Sequence, residues 1–381
     1  MTGQDNIAPT RTPLNITIVG AGIMGLTTAW PLARRGHRVS LFEQGHVPNS
    51  LGSSVDQHRL FRLAYGDHQG YARMAVAAET AWERLWGDLG ERLLVPTGTL
   101  CIADTAEGQE WIADSLAVGE AVGRPGRRLS RDDIARDFPL YAGTDRSEAA
   151  SFDSGGGLLA GRIVEMLSHH LNSRGVTVHA RNPVMAIDPE RAEVTLADRR
   201  VIGADLLVVA AGAWVTKLLP DLTPRLVPSR QVISYIRPPA DLMAAWEKAP
   251  MLIDADDEAG VYMVPPVAGT GMKAGTHRFS LTGDPDLDRD VDADEAYRVL
   301  DLARQRLARP DEYSLATALS CFYTVTTDER FVVEPLSRRC WVMSPCSGHG
   351  FKFAPVVGEL LAAGLIGDLP ADEVTRRAAG Y

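Results

Sequence analysis

Ile18-Val19-Gly20-Ala21-Gly22-Ile23-Met24-Gly25, followed at the end of the next apolar run by Glu43, decides how this chain folds. Residues 16–19 read as a short buried strand, the glycines as a turn, and a helical pattern runs to about residue 35, where Gly36 ends it; 39–42 is a second strand. In this βαβ start Gly20 permits the tight turn, Gly22 lets backbone N–H groups approach a pyrophosphate, and Gly25 lets helix and strand pack closely. The helix N-terminus, with Ile23 and Met24 in its first turn, favours the phosphate charge. Glu43, with Gln44 beside it, is placed to accept from a ribose hydroxyl, and its charge disfavours a 2′-phosphate, so NADP is not expected. The fingerprint predicts dinucleotide binding without separating FAD from NAD. Pro31, inside the helical pattern, is expected to kink it.

Outward from this motif, 381 residues allow two domains or one large two-part domain. The formal charge of −10, from 39 Lys plus Arg against 49 Asp plus Glu, argues against a nucleic-acid partner. Cys101, Cys321, Cys340 and Cys346 form no CxxC pair and no zinc spacing, so no metal is expected and the chain reads as cytoplasmic and reduced. The polar N-terminus, MTGQDNIAPTRTPLN, has no apolar core of a signal peptide and reads as a loose arm. The most apolar run, 206–215, is too short to span a bilayer, so no membrane partner is expected.

Further along, an apolar-spaced helix is expected over 71–89, a strand over 94–104, and a charged, helix-rich stretch to about 138. The run SFDSGGGLLAGR (151–162) reads as a turn entering a helix, and strands are expected near 175–180, 192–196 and 205–210. From about 225 to 319 the pattern alternates, as at 231–236 and 261–264, which suggests an antiparallel sheet. Strands at 331–334 and 341–344 and a helix at 354–365 close the chain. The fold class is therefore α/β: a discontinuous, Rossmann-like nucleotide-binding domain (1–90, 145–225 and 320–381) with an inserted, mostly antiparallel substrate domain (91–144 and 226–319).

Seven motifs in one order, IVGAGIMG, GSSVDQHRLFRLAYGD, VVAAGAW, PSRQV, GMKAGTH, SCFYTVTTDERFVVEP and SGHGFKF, carry a resemblance over about 15–365. The chain resembles the family of flavoenzymes that holds monomeric sarcosine oxidase, N-methyltryptophan oxidase and pipecolate oxidase. That resemblance implies the glutathione-reductase/D-amino-acid-oxidase type of fold, bound FAD, and a flavin bonded through a thioether to Cys321. It implies that Lys273 is the cation beside which oxygen reacts, since a fixed positive charge stabilises the anion formed as O₂ takes up an electron. Arg59 is implied to lie against the flavin, and Arg62 and Lys352 to hold a substrate carboxylate, which suits a guanidinium fork. A cation beside the N-terminal end of the 354–365 helix is unfavourable for the helix dipole alone, which argues for a bound anion. His277, Tyr323 and Tyr262 are implied to line the substrate pocket. Ser53, Val184, Ala211, Gly212, Gly348, Gly350 and Phe351 complete the implied flavin contacts.

The sequence departs from the family where histidines usually precede Arg59: Ser54 and Val55 stand there, which leaves room for a larger or more apolar amine. The expected activity is FAD-dependent oxidation of the C–N bond of a secondary, N-methyl or cyclic amino acid by a monomer, giving an imine and H₂O₂. Three alternatives share the flavin motifs: an amine dehydrogenase with another electron acceptor, a monooxygenase or biosynthetic imine-forming enzyme, and a flavin-binding subunit without catalysis.

Overall fold

The computed structural model describes residues 12–256 and 260–381, so most of the N-terminal arm lies outside the described residues. The opening motif becomes strand β1 (Asn15–Val19), helix α1 (Ile23–Arg34) and strand β2 (Arg38–Phe42). Ile16 through Val19 are all buried, as a central parallel strand covered on both faces must be. Strand β1 lies between β2 and Leu206–Val209, parallel to both. Thr177–His179 continues this six-stranded sheet beyond β2, and Cys340–Ser344 beyond Leu206–Val209, with Val332–Pro335 as an antiparallel edge.

Helix α1 runs unbroken through Pro31. Proline removes the donor that would reach the Thr27 carbonyl. Gly358, on the helix Ala354–Leu365, packs against that carbonyl so closely that a Cβ there would lie 2.4 Å from its oxygen. No helix among the described residues is long and apolar enough to cross a membrane.

The second sheet has eight strands, in the order Ser314–Val325, Val227–Arg237, Met272–Thr276, Val261–Val264, Met251–Asp254, Thr99–Ala103, Glu148–Phe152 and Arg127–Leu129. Its neighbours are antiparallel except Met251–Asp254 beside Thr99–Ala103. The helix Ala293–Arg304, started by a capping box of Asp292 and Glu295, buries Val299, Leu300 and Ala303 with Leu252, Met263 and Met272 of the sheet.

Three expectations are corrected. The strand expected over 94–104 is two: Leu94–Pro96 pairs with Gly156–Leu158, and Thr99–Ala103 joins the eight-stranded sheet, with Gly98 at φ 71° between them. The stretch read as a turn at 151–162 contains the end of Glu148–Phe152 and all of Gly156–Leu158, both strands. Glu148–Phe152 and Ser314–Val325 pair in the larger sheet, so domain edges drawn at 145 and 320 would fall after Phe152 and after Val325.

One buried cluster ties the larger sheet together. Arg306 donates to Asp254 at 2.7 and 3.0 Å, to Asp256 at 2.8 Å and to Asp104 at 2.8 Å. Removing the guanidinium would leave buried carboxylates unpaired. Arg306→Ala is therefore expected to lower the unfolding free energy by about 3–5 kcal/mol. A urea-unfolding midpoint equal to that of the unsubstituted chain would show that the cluster contributes nothing net.

Candidate active site

The turn after β1 is built for close approach. Gly20 has φ 102°, and a Cβ there would lie 2.4 Å from the Ala210 carbonyl oxygen; one at Gly25 would lie 2.0 Å from the Gly20 carbonyl oxygen. No other residue fits either position. Glu43 is buried at the end of β2, accepting from the Ala21 N–H at 3.0 Å, the Gly45 N–H at 3.0 Å and Asn49 Nδ2 at 2.8 Å. Ser54 Oγ accepts from the Ile23 N–H at 2.9 Å, so the residue in place of the family histidine tethers this segment to the start of α1.

A cavity of about 770 Å³ runs from this turn, between the two large sheets, to the loop before Ala354–Leu365. Gly20, Gly22, Ile23, Met24, Glu43, Gln44, Ser53, Val184, Ala211 and Gly212 line it, as do Gly348, Gly350, Phe351 and Lys352. Arg59, Arg62, Tyr262, Lys273, His277 and Tyr323 line the same cavity. Two predicted positions stand back from the wall. Gly25 packs helix against turn, and Cys321 lies buried behind Arg59, whose Nη2 reaches its Sγ at 3.7 Å.

Four of the cations on the cavity wall, Arg59, Arg62, Lys273 and Lys352, fall into two different settings. Lys273 Nζ donates to Asp56 Oδ2 at 2.8 Å and to the His58 carbonyl. Arg59 Nη1 donates to the same Asp56 oxygen at 2.9 Å, and the Tyr235 hydroxyl donates to the other. Burial pushes the Lys273 ammonium down to about 8 against the pull of Asp56. Although burial opposes it, Lys273 and Arg59 hold the Asp56 carboxyl well below the usual range.

Arg62 and Lys352 have no such counterion. Among the described residues no carboxylate lies within ion-pair distance of either. They meet at Tyr65: Lys352 Nζ donates to its hydroxyl at 2.8 Å, and the Arg62 guanidinium sits 4.2 Å from its ring centroid. Lys352 also donates to the His349 carbonyl at 2.9 Å, and burial together with Arg62 holds it well below the ordinary lysine range. Burial and Arg62 keep His277 neutral by lowering it to about 4.

The family model for FAD dependent oxidoreductases matches residues 15–363. The chain belongs to this family. Monomeric sarcosine oxidase of Bacillus sp. (strain B-0618) is 27% identical over 363 residues, covering 92% of each chain. N-methyl-L-tryptophan oxidase of Yersinia pestis (strain Pestoides F) is 24% identical over 91% of this chain and 94% of its own. The solved open form of NikD, an unusual amino acid oxidase essential for nikkomycin biosynthesis, superposes with a TM-score of 0.81 at 23% identity. That superposition covers 97% of this chain and 98% of NikD and shows a common fold.

The residues of this oxidoreductase fit FAD. The glycine turn and Glu43 stand at one end of a single continuous cavity, and Gly348, Gly350 and the cations stand at the other, as an elongated dinucleotide requires. Asp56, Tyr65 and Tyr235 were not anticipated, because each acts through a partner distant in sequence. One signal was available: the chain has only four lysines among its 39 basic residues. Two of them, Lys273 and Lys352, are buried in this cavity.

Proposed function

We propose that this FAD-dependent oxidoreductase oxidises the C–N bond of a secondary, N-methyl or cyclic amino acid and produces an imine and hydrogen peroxide. The observation that carries the proposal is the pair of buried Lys352 and half-buried Arg62 on the cavity wall, with no counterion among the described residues, which suits one carboxylate. The related enzymes named for sarcosine and N-methyl-L-tryptophan act on amino acids of this kind, which supports the reading. When bound, FAD supplies the two-electron acceptor. Arg62 and Lys352 bind the acid group and disfavour a second positive charge beside them, so the amine is favoured in its neutral, electron-donating form. His277 is held neutral, and burial raises Tyr262 to about 12 and Tyr323 above its ordinary value, so none of the three places a charge at the amine end. Lys273 stands at a separate place on the wall, suited to stabilise the anion formed from oxygen. Four unpaired thiols fit a reducing compartment, and we place the enzyme in the cytoplasm as a monomer.

The test is peroxide release from a panel of N-methyl and cyclic amino acids, each paired with its decarboxylated amine. Acid-dependent turnover is expected. Equal turnover of the amine would end the carboxylate reading, and substrate oxidation without peroxide would point to a dehydrogenase.

The covalent link through Cys321 has its own test. Acid-precipitated enzyme is expected to keep its yellow colour in the pellet, and Cys321→Ser to release it to the supernatant. Cys346 also lines the cavity, and burial raises its thiol. Colour lost from the pellet in Cys346→Ser but kept in Cys321→Ser would move the link to Cys346.

A further inference from the structure

Lys273 and Lys352 are both buried ammonium groups on one cavity, yet only one has a carboxylate against it among the described residues. Asp56 stands between Lys273 and Arg59, with its side chain 2% exposed. Its remaining acceptor sites take the Tyr235 hydroxyl and the Gln57 N–H, the latter at 2.8 Å. The Asp56 and Lys273 side chains are almost wholly shielded from solvent, at 2% and 1% exposed, so their charges interact strongly. A lysine buried without a counterion tends to lose its proton until an anion binds beside it, as the substrate acid would at Lys352, and a neutral amine at Lys273 would not stabilise an anion forming there. A carboxylate at 2.8 Å prevents that loss and also fixes the direction of a four-carbon side chain. Alone it would cancel the charge it preserves. Because Arg59 shares the same oxygen, two cations and one anion leave a net positive charge at the wall. An ammonium has three donors, and Asp56 and His58 take two, leaving one for the cavity that Lys273 lines.

We propose that Asp56 is a positioning residue that keeps Lys273 charged and aimed at the cavity, with Arg59 sharing the carboxylate so that one net positive charge remains. This inference rests on the reading of Lys273 as the cation beside which oxygen is reduced. The titratable and charged groups facing Lys273 are Asp56, His58 and Arg59 from one segment, Tyr235 and Tyr262 from the neighbouring strands, and Cys321 from the edge strand. Burial and Lys273 itself lower His58 to about 3, and burial raises the Tyr235 phenol, so neither changes charge in the neutral range.

The test uses the flavin-loaded enzyme labelled with ¹³Cε-lysine. Its four lysines give few resonances, and Lys273→Met assigns the relevant one. In Asp56→Asn the Lys273 midpoint is expected to fall by about one unit or more. The alkaline limit of the oxygen reaction should fall with it. Tyr235→Phe removes one donor from the carboxylate and changes no charge, so the Lys273 midpoint should move the other way, upward. An unchanged midpoint in Asp56→Asn, or a fall in both variants, would overturn the proposal. Lys273→Met with undiminished oxygen reactivity would instead overturn the reading beneath it, whatever Asp56→Asn does.

Discussion

Arg62→Met and Lys352→Met are each expected to lower kcat/KM for the amino-acid substrate by roughly 10²–10³-fold, about 3–4 kcal/mol. The size follows from the setting. Both cations line the cavity, Lys352 buried and Arg62 half-buried, and neither has a carboxylate of its own among the described residues. Removing one leaves a desolvated substrate anion half-paired, and the loss includes the penalty of that unpaired charge. Because both groups hold the same anion through a shared contact with Tyr65, the double variant should fall short of the product of the two losses. The decarboxylated amine provides the control: its turnover should change by no more than a few-fold. If acid and amine lose equally in both variants, Arg62 and Lys352 support the structure and do not recognise a carboxylate.

Lys273→Met is expected to slow reoxidation of the reduced enzyme by O₂ by roughly 10²–10³-fold, with the substrate-oxidation step nearly unchanged. A fixed charge in a site shielded from water stabilises a developing anion without reorganising. The unsubstituted enzyme should show a matching pH dependence. The protonated form of Lys273 carries the charge, and burial brings that group down to about 8. The oxygen step should therefore hold its rate below that pH and decline as pH rises through it. Rapid mixing of substrate-reduced enzyme with aerated buffer over a pH series measures both effects. A reoxidation rate that survives the substitution and shows no alkaline decline would remove Lys273 from the mechanism.

The nucleotide-binding half was legible because its cues are local. Gly20, Gly25 and Glu43 lie within one βαβ unit, and each is required by a contact made inside or next to that unit. The alternation in 231–236 and 261–264 likewise pointed to sheet strands, although the fold covers both faces of each over most of these residues. What could not be read were pairings between distant segments. The strand Gly156–Leu158 is a run of two glycines and a leucine, with no periodicity, and becomes a strand only because Arg59–Phe61 and Leu94–Pro96 flank it. Asp56 sits in a polar stretch that reads as a solvated loop, and only the fold brings it to Lys273. Cys321 and Tyr323 were picked from a motif, and their shared face follows from the two-residue period of the Ser314–Val325 strand.

The scarcity of lysine has a practical side. Lys217 and Lys248 are exposed on the exterior, whereas Lys273 and Lys352 are sealed inside. Amine-directed coupling of the native enzyme to beads or an electrode should therefore graft, among the described lysines, through those two outward side chains, leaving the interior pair unmodified. Immobilised preparations should retain nearly all their specific activity, and the attachment points should be few enough to map peptide by peptide.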